Sequence, residues 1–378
     1  MHLSIQGGEV LFFFSLKGNV SWESYSLVVA STYPSFSFPQ LLASTARIDA
    51  YLRQLVTSGR LSGTVLVAQH GSVFQQAYGF ADSDAHIPNT TQTNFRLGSV
   101  TKQFTAMGIL LLQERGKLHV QDHICLYIPD CPQLWQTITI HELLTHTSGI
   151  PDYTDLRDFV STLGQHVTPG QLIARFKNLP LRSPPGKEFR YSNSGYVLLG
   201  YLIEKVTGTM YADFLRKNIF EPLKMYHTSY DDVHPQLPNH ATGYSKNNVK
   251  AVFVDISVAY SAGGLTSTVE DMYRWDQALT HHLLLSQASY HAMFTPYINC
   301  PPPGNCFLST DLGYGYGWFI AREPQGLLNY HPGGIDGYVS YNGFYPDRDV
   351  DIVVLSNVES TDVFKIGLDL ASLVFKGR

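Results

Sequence analysis

Apolar residues recur at helical spacing over residues 41–58, through Leu41, Leu42, Ile48, Leu52 and Val56, and predict an amphipathic helix. Two short runs follow, Gly63-Thr64-Val65-Leu66-Val67-Ala68 and Val73-Phe74-Gln75-Gln76-Ala77-Tyr78. They flank His70-Gly71-Ser72 and predict a β-hairpin. The pattern becomes helical again from about Ser99 to Arg115, with Gly116 as its stop. Thr139-Ile140-His141-Glu142 reads as a capping box opening another helix, and Ser267-Thr268-Val269-Glu270 as a second. After the loop signal Pro184-Pro185-Gly186, a helical face is supplied by Tyr196, Val197, Leu199, Leu202 and Val206, with Gly208 at its end. Near the C-terminus, aromatic-rich runs at 316–321, 337–341 and 350–355 read as strands, and a last helix is expected near 363–375.

Sheet segments therefore flank a helix-rich middle. The expected fold class is α+β: an antiparallel sheet contributed by both chain ends, flanked by helices, with a helix-rich region inserted. One domain is expected over 41–376, its sheet part at about 41–98 and 312–376 and its helical part at about 99–311. The junction of the two parts is a common position for a site. No internal repeat or long linker is visible.

Residues 1–40 do not fit this scheme. The run Val10-Leu11-Phe12-Phe13-Phe14-Ser15-Leu16 is too short to span a bilayer. It also lacks the preceding positive charge of a signal peptide, although Val28-Val29-Ala30 resembles a cleavage site. The segment is read as an N-terminal extension or a poor export signal, with no folded role assigned. With 378 residues and 44% hydrophobic content, the rest can bury a sizeable core. A net charge of −5 without a basic run argues against nucleic acid as a partner. The four cysteines form two close pairs, Cys125 with Cys131 and Cys300 with Cys306, each separated by five residues. Such pairs suggest local disulfides and export to the periplasm or beyond; the alternative is four free thiols in a cytoplasmic chain. Neither spacing suits zinc.

The candidate chemistry begins at Ser99-Val100-Thr101-Lys102. Residues three apart share a helical face, so Lys102 can reach Ser99 Oγ. A serine needs a base to become a nucleophile, and a lysine kept neutral by burial can be that base. Taken alone, the spacing fits a helix-capping serine beside a solvated lysine equally well. Tyr191-Ser192-Asn193 sits where the Pro/Gly loop enters a helix; a phenol there can relay protons, and Asn193 can hold a substrate carbonyl or orient the amine. His331-Pro332-Gly333-Gly334 lies between the C-terminal strands, where glycines let a substrate approach the backbone. An N–H there can pair with that of Ser99 as an oxyanion hole. Tyr297-Ile298-Asn299 repeats the Tyr-x-Asn pattern without the loop-to-helix context and is set aside. His141-Glu142-Leu143-Leu144-Thr145-His146 approximates a zinc motif, but its second histidine is one residue late and falls on another helical face. His146 is expected instead to satisfy buried polar groups near the cleft.

Together, Ser-x-x-Lys, Tyr-x-Asn and His-x-Gly, in that order, resemble the serine β-lactamase and penicillin-binding protein superfamily, in its class C-like branch. Phe95-Arg96-Leu97-Gly98-Ser99, Leu143-Leu144-Thr145-His146-Thr147-Ser148-Gly149-Ile150-Pro151 and Ala262-Gly263-Gly264-Leu265-Thr266-Ser267-Thr268 extend the likeness over roughly residues 44–376. The resemblance implies a β-lactamase/transpeptidase-like fold with Ser99 as acylated nucleophile. Lys102 and Tyr191 would share proton transfer and Asn193 would position substrate. His331 would tune the tyrosine, Gly333 would contact substrate, and the Ser99 and Gly334 N–H groups would form the oxyanion hole. No cofactor or metal is implied. Pro332 and Gly334 lack the side-chain donors with which relatives often bind a substrate carboxylate, which favours a small-molecule ester or amide. D,D-peptidase, D-aminopeptidase or β-lactamase action is the alternative, and a non-catalytic peptidoglycan or β-lactam binder the reading from another class. A transmembrane helix is not expected, and a monomer is compatible with the sequence.

Overall fold

The computed structural model describes residues 2–6, 9–13, 40–231, 239–245, 249–299 and 307–376. The chain divides into two compact units, Met1–Phe38 and Pro39–Arg378. In the first, the strand His2–Gln6 pairs antiparallel with Glu9–Phe13. Part of the apolar run at 10–16, to which the sequence assigns no folded role, is thus strand.

The second unit is built on a seven-stranded antiparallel sheet. Its strands are β1 (Gly63–Gln69), β2 (Ser72–Tyr78), β3 (Asp311–Tyr314), β4 (Phe319–Glu323), β5 (Gly326–Ile335), β6 (Tyr338–Tyr345) and β7 (Val350–Ser356). Their spatial order is β3-β4-β5-β6-β7-β1-β2. The pairing of β7 with β1, from Val350↔Gln69 to Ser356↔Gly63, joins the C-terminal strands to the N-terminal hairpin. That hairpin turns through His70 and Gly71, both at positive φ, the conformation of the two-residue turns that match strand twist. β1 and β7 are buried at every residue. Alternation sends Val65, Val67, Ile352 and Val354 into one core and Leu66, Ala68, Val353 and Leu355 into the other. The first core is closed by α1 (Gln40–Thr57) and a C-terminal helix, Val363–Phe375, which packs on β6 and β7.

The helical region covers the opposite face. Its centre is α2 (Thr101–Glu114), where Phe104, Met107, Ile109 and Leu110 have no exposure and nearly every other residue is buried. A helix apolar on all sides belongs inside a core, which is why it can carry a site without drifting. It follows a single 3₁₀ turn, Gly98–Val100. The expected capping box at Thr139 forms and opens α3 (Ile140–Leu144). Helix α4 (Asn193–Thr207) ends on left-handed Gly208, as its pattern predicts.

Three local expectations need correction. The cap of α5 (Val269–Thr280) is Thr268, whose side chain accepts the Asp271 N–H, rather than Ser267. Ser267 ends the strand Leu265–Ser267, and its hydroxyl is engaged with Thr228 at 2.7 Å. Residues 316–318 precede the strand, since Gly317 has φ +82 and β4 opens at Phe319. His331-Pro332-Gly333-Gly334 lies inside β5 rather than between strands. Pro332 fits there because β4 pairs with β5 only as far as Tyr330, so the proline occupies a free edge. Cys125 and Cys131 form a disulfide with Cα atoms 5.3 Å apart. Cys300 and Cys306 lie outside the described residues. Among the described residues no helix is long and apolar enough to cross a membrane.

A buried polar cluster ties the two layers together. Asp276 on α5 has no exposure; its Oδ1 accepts from Asn342 on β6 at 2.8 Å, while its Oδ2 has no partner among the described residues. Asn342 and Trp275 both donate to Gln103 of α2, and Gln277 donates to Asp351 of β7. Burial pushes both carboxyls up, Asp351 to about 7, and their mutual repulsion adds to the rise on Asp276. A carboxyl whose folded pKa is raised favours the fold while it stays protonated, and that support is lost as pH rises from the unfolded value, near 4, through the folded one. Asp276→Asn keeps an acceptor for Asn342 and does not ionise. Its Tm advantage over the wild type is therefore expected to grow from pH 5 to pH 8 in calorimetric scans, roughly 1–2 °C for each kcal/mol recovered in a unit of this size; a pH-independent difference would contradict this.

Candidate active site

Ser99 is the middle residue of a turn pressed against the free edge of β5. Gly98 has φ +51, and a Cβ there would lie 2.7 Å from the Gly334 nitrogen, so only glycine allows the approach. Gly333 meets the same constraint from the other side, where an added Cβ would fall 2.1 Å from the Leu97 carbonyl oxygen and 3.1 Å from Ser99 N. The turn is held by Leu97 N–H donating to Leu265 O (2.8 Å) and by Ser340 Oγ donating to Leu97 O (2.7 Å). Ile335 and Tyr338 close a two-residue turn between β5 and β6. Alternation from that pair directs the Gly334 N–H away from β6, toward Ser99. Gly334 is exposed to the cleft; Gly333 is buried against protein.

Lys102, one helical turn on, is fully buried. Its Nζ lies 3.0 Å from Ser99 Oγ, 2.8 Å from Asn193 Oδ1 and 2.9 Å from the Ala262 carbonyl oxygen. The amide of Asn193 is oriented by Asp152, whose Oδ2 accepts both the Asn193 backbone N–H (2.9 Å) and an Nδ2 hydrogen (3.0 Å). Asn193 Oδ1 must therefore face the amine. Burial lowers Lys102 to about 7, and the negative charge of Asp152 opposes that fall. A neutral amine has two hydrogens and one lone pair. With both hydrogens given to Asn193 and Ala262, the lone pair faces the Ser99 hydroxyl.

Tyr191 completes this group. The Lys102 amine sits 4.8 Å from its ring centroid. Its hydroxyl is buried with no partner of hydrogen-bond geometry among the described residues. Burial raises the phenol well above its usual range, and the nearby Ser99 hydroxyl offsets part of that rise. His331 lies behind, its ring centroid 6.1 Å from that of Tyr191. Its Nδ1 is 2.6 Å from the Pro332 carbonyl oxygen, so Nδ1 carries the proton and Nε2 accepts from the Tyr314 hydroxyl at 3.2 Å. Burial first, then the charge of Lys102, holds His331 at about 3. It is a neutral residue joined to Tyr314, with no hydrogen bond to Tyr191.

In front of Ser99 opens a cleft of about 400 Å³. One part of its wall is apolar, with Tyr153, Phe159, Leu163, Val254, Val258 and Ile335; Thr154 and Asn193 also line it, and Asp336 and Glu359 stand on its rim. Among the described residues lining it there is no arginine or lysine. Ser99, Asn193 and Gly334 face this space.

Sequence patterns do not single out Asp152 or the Ala262 carbonyl. Asp152 lies far from Asn193 in sequence, and a lone aspartate carries no spacing signal. His141 and His146 take separate partners, the Tyr316 hydroxyl (2.8 Å) and the Ser192 N–H (3.1 Å).

Known proteins share this arrangement of chain. The Beta-lactamase family profile matches residues 48–373. One of the penicillin-binding proteins of Bacillus subtilis (strain 168) is 32% identical over 321 residues, 79% of this chain and 69% of that protein. The octameric penicillin-binding protein homologue from Pyrococcus abyssi superposes with a TM-score of 0.76 at 28% identity, covering 88% of this chain and 77% of that one. The D-amino acid amidase from Ochrobactrum anthropi SV3, solved with D-phenylalanine, superposes with a TM-score of 0.75 at 25% identity, covering 89% and 98%.

The electrostatics of Lys102 generate a test that needs no substrate. Labelling of Ser99 by a fluorophosphonate is expected to accelerate as pH rises through about 7, where the amine loses its proton. Asp152→Asn retains an acceptor for Asn193 and removes the charge that favours the ammonium form, so the limb is expected to move to lower pH. A limb that stays in place, or moves up, would show that Asp152 does not act on the amine through its charge.

Proposed function

The chain belongs to the Beta-lactamase family and is a serine hydrolase; from that premise we propose that it cleaves small esters and amides through an acyl-enzyme on Ser99. The observation that carries the reading is the buried Lys102 amine, its Nζ 3.0 Å from Ser99 Oγ and within hydrogen-bond distance of Asn193 Oδ1 and the Ala262 carbonyl oxygen; a neutral amine that gives its hydrogens to those two carbonyls turns its lone pair to Ser99. The proton leaves Ser99 for Lys102 as Oγ attacks the substrate carbonyl carbon. The resulting oxyanion is received by the Ser99 and Gly334 N–H groups. Lys102 and Tyr191 share delivery of a proton to the leaving group, and the same pair activates the water that releases the acyl group. Asn193 holds the amine in register and offers its exposed side to substrate. His331, neutral and joined to Tyr314, supports the wall behind Tyr191, and Gly333 lets β5 approach closely enough for Gly334 to take part.

The cleft favours an apolar acyl portion. Two rim carboxylates, with no cation among the described lining residues, disfavour a substrate that must be held by a terminal carboxylate. That supports ester and amide substrates over D-Ala-D-Ala-type peptides, and the D-amino acid amidase among similar structures is consistent with it. The penicillin-binding relative supports the second reading, peptidase or β-lactamase action by the same machinery. The Cys125–Cys131 disulfide supports an oxidising compartment, hence export.

Hydrolysis of p-nitrophenyl butyrate, read beside nitrocefin, separates these readings. Wild-type ester turnover is expected, with a butyryl adduct on Ser99 by intact mass, and both are expected to vanish in Ser99→Ala. Lys102→Ala and Tyr191→Phe are expected to lower the rate by about 10²–10⁴-fold each. Nitrocefin cleavage without ester turnover would transfer the assignment to the β-lactam and peptide reading. Ester turnover surviving in Ser99→Ala would overturn the nucleophile.

A further inference from the structure

The hydroxyl of Tyr191 lies near that of Ser99 but has no partner of full hydrogen-bond geometry among the described residues, and its ring is packed from behind. The residue behind it is His146. It is 1% exposed and lies just beyond the short helix α3, with φ +57. That left-handed backbone, just past the C-cap Thr145, is one that histidine tolerates, and it turns the chain back so that both the carbonyl and the ring of His146 meet the 190–192 segment.

His146 grips both neighbours of Tyr191. Its carbonyl accepts the Arg190 N–H at 2.8 Å, and its Nδ1 accepts the Ser192 N–H at 3.1 Å. Between these two anchors its ring lies tilted on the Tyr191 ring, with centroids 4.3 Å apart and planes at 32°. Tyr314 and Phe189 close the other sides, at 4.8 and 5.7 Å. Because Nδ1 accepts, the neutral ring carries its hydrogen on Nε2, and that group is buried without a partner among the described residues. Burial keeps the ring from protonating. A buried donor left without a partner is uncommon, and a residue that only fills space would not need one.

We propose that His146 is the positioning residue for Tyr191. It clamps the 190–192 backbone through two acceptors and stacks on the phenol, so that the hydroxyl stays against Ser99 and Lys102. The role rests on the reading that Tyr191 carries protons, and it touches no reacting atom itself.

A double-mutant cycle tests it with p-nitrophenyl butyrate. His146→Phe keeps a ring and removes the Ser192 acceptor. His146→Asn keeps an acceptor and tolerates the left-handed backbone, but removes the stack. Each is expected to lower kcat by about 10²-fold with little change in KM, the scale of a misplaced catalytic group. In a Tyr191→Phe background the same substitutions are expected to change kcat by no more than about twofold, because their effect passes through the missing hydroxyl. Equal losses in both backgrounds, or an unchanged kcat in the wild-type background, would overturn the positioning role while leaving the proposed mechanism intact. Wild-type turnover by Tyr191→Phe itself would overturn both. Thermal melts establish that each variant is folded; if His146→Phe does not fold, the His146→Asn cycle decides.

Discussion

An amine sealed from water is the constraint on which the rest of this molecule turns. Lys102 sits in a helix buried on almost all sides, and a charged ammonium there would lack solvent. The protein meets that penalty with three polar contacts of fixed direction, from the next turn back, from the start of α4 and from the Ala262 backbone. Each contact comes from a different segment, so placing the amine requires that the helical region be assembled. Asp152 extends the same logic one step outward, since its carboxylate decides which end of the Asn193 amide meets the amine.

The sheet supplies the opposing surface. β5 reaches Ser99 only because glycines at 98 and 333 remove the side chains that would hold the two backbones apart. The same edge is free of β4 beyond Tyr330, which leaves the Gly334 N–H turned toward the cleft and makes Pro332 harmless. Core packing and reactivity are therefore linked through one contact between a buried helix and an unpaired strand edge. Aromatic rings fill the space behind that contact: His146 packs on Tyr191 and Tyr314, and His331 on the same two rings, at centroid separations of 4.3–6.1 Å.

Much of this was legible in the chain. The periodicity of 41–58, the hairpin around His70 and the terminal helix near 363–375 all appear with bounds close to those expected, because each is set by local alternation and turn chemistry. Errors fell where two local signals compete. Ser267 and Thr268 both resemble helix caps, and the choice fell to Thr268 because Ser267 is drawn into a strand and bonded to Thr228. His331 to Gly334 has the composition of a loop, yet forms strand because β6 pairs with it along its whole length.

By itself the sequence determined the α+β class, the order of the elements and the identity of Ser99, Lys102, Tyr191 and Asn193 as candidates, since short-range spacing and hydrophobic period are written in consecutive residues. Only the tertiary structure decided how those candidates act on one another. The protonation of Lys102, the orientation of Asn193 by Asp152, the partner of His331 and the grip of His146 on Tyr191 all depend on burial and on contacts between segments far apart in the chain. Desolvation and hydrogen-bond direction are properties of the assembled interior, and no local pattern carries them.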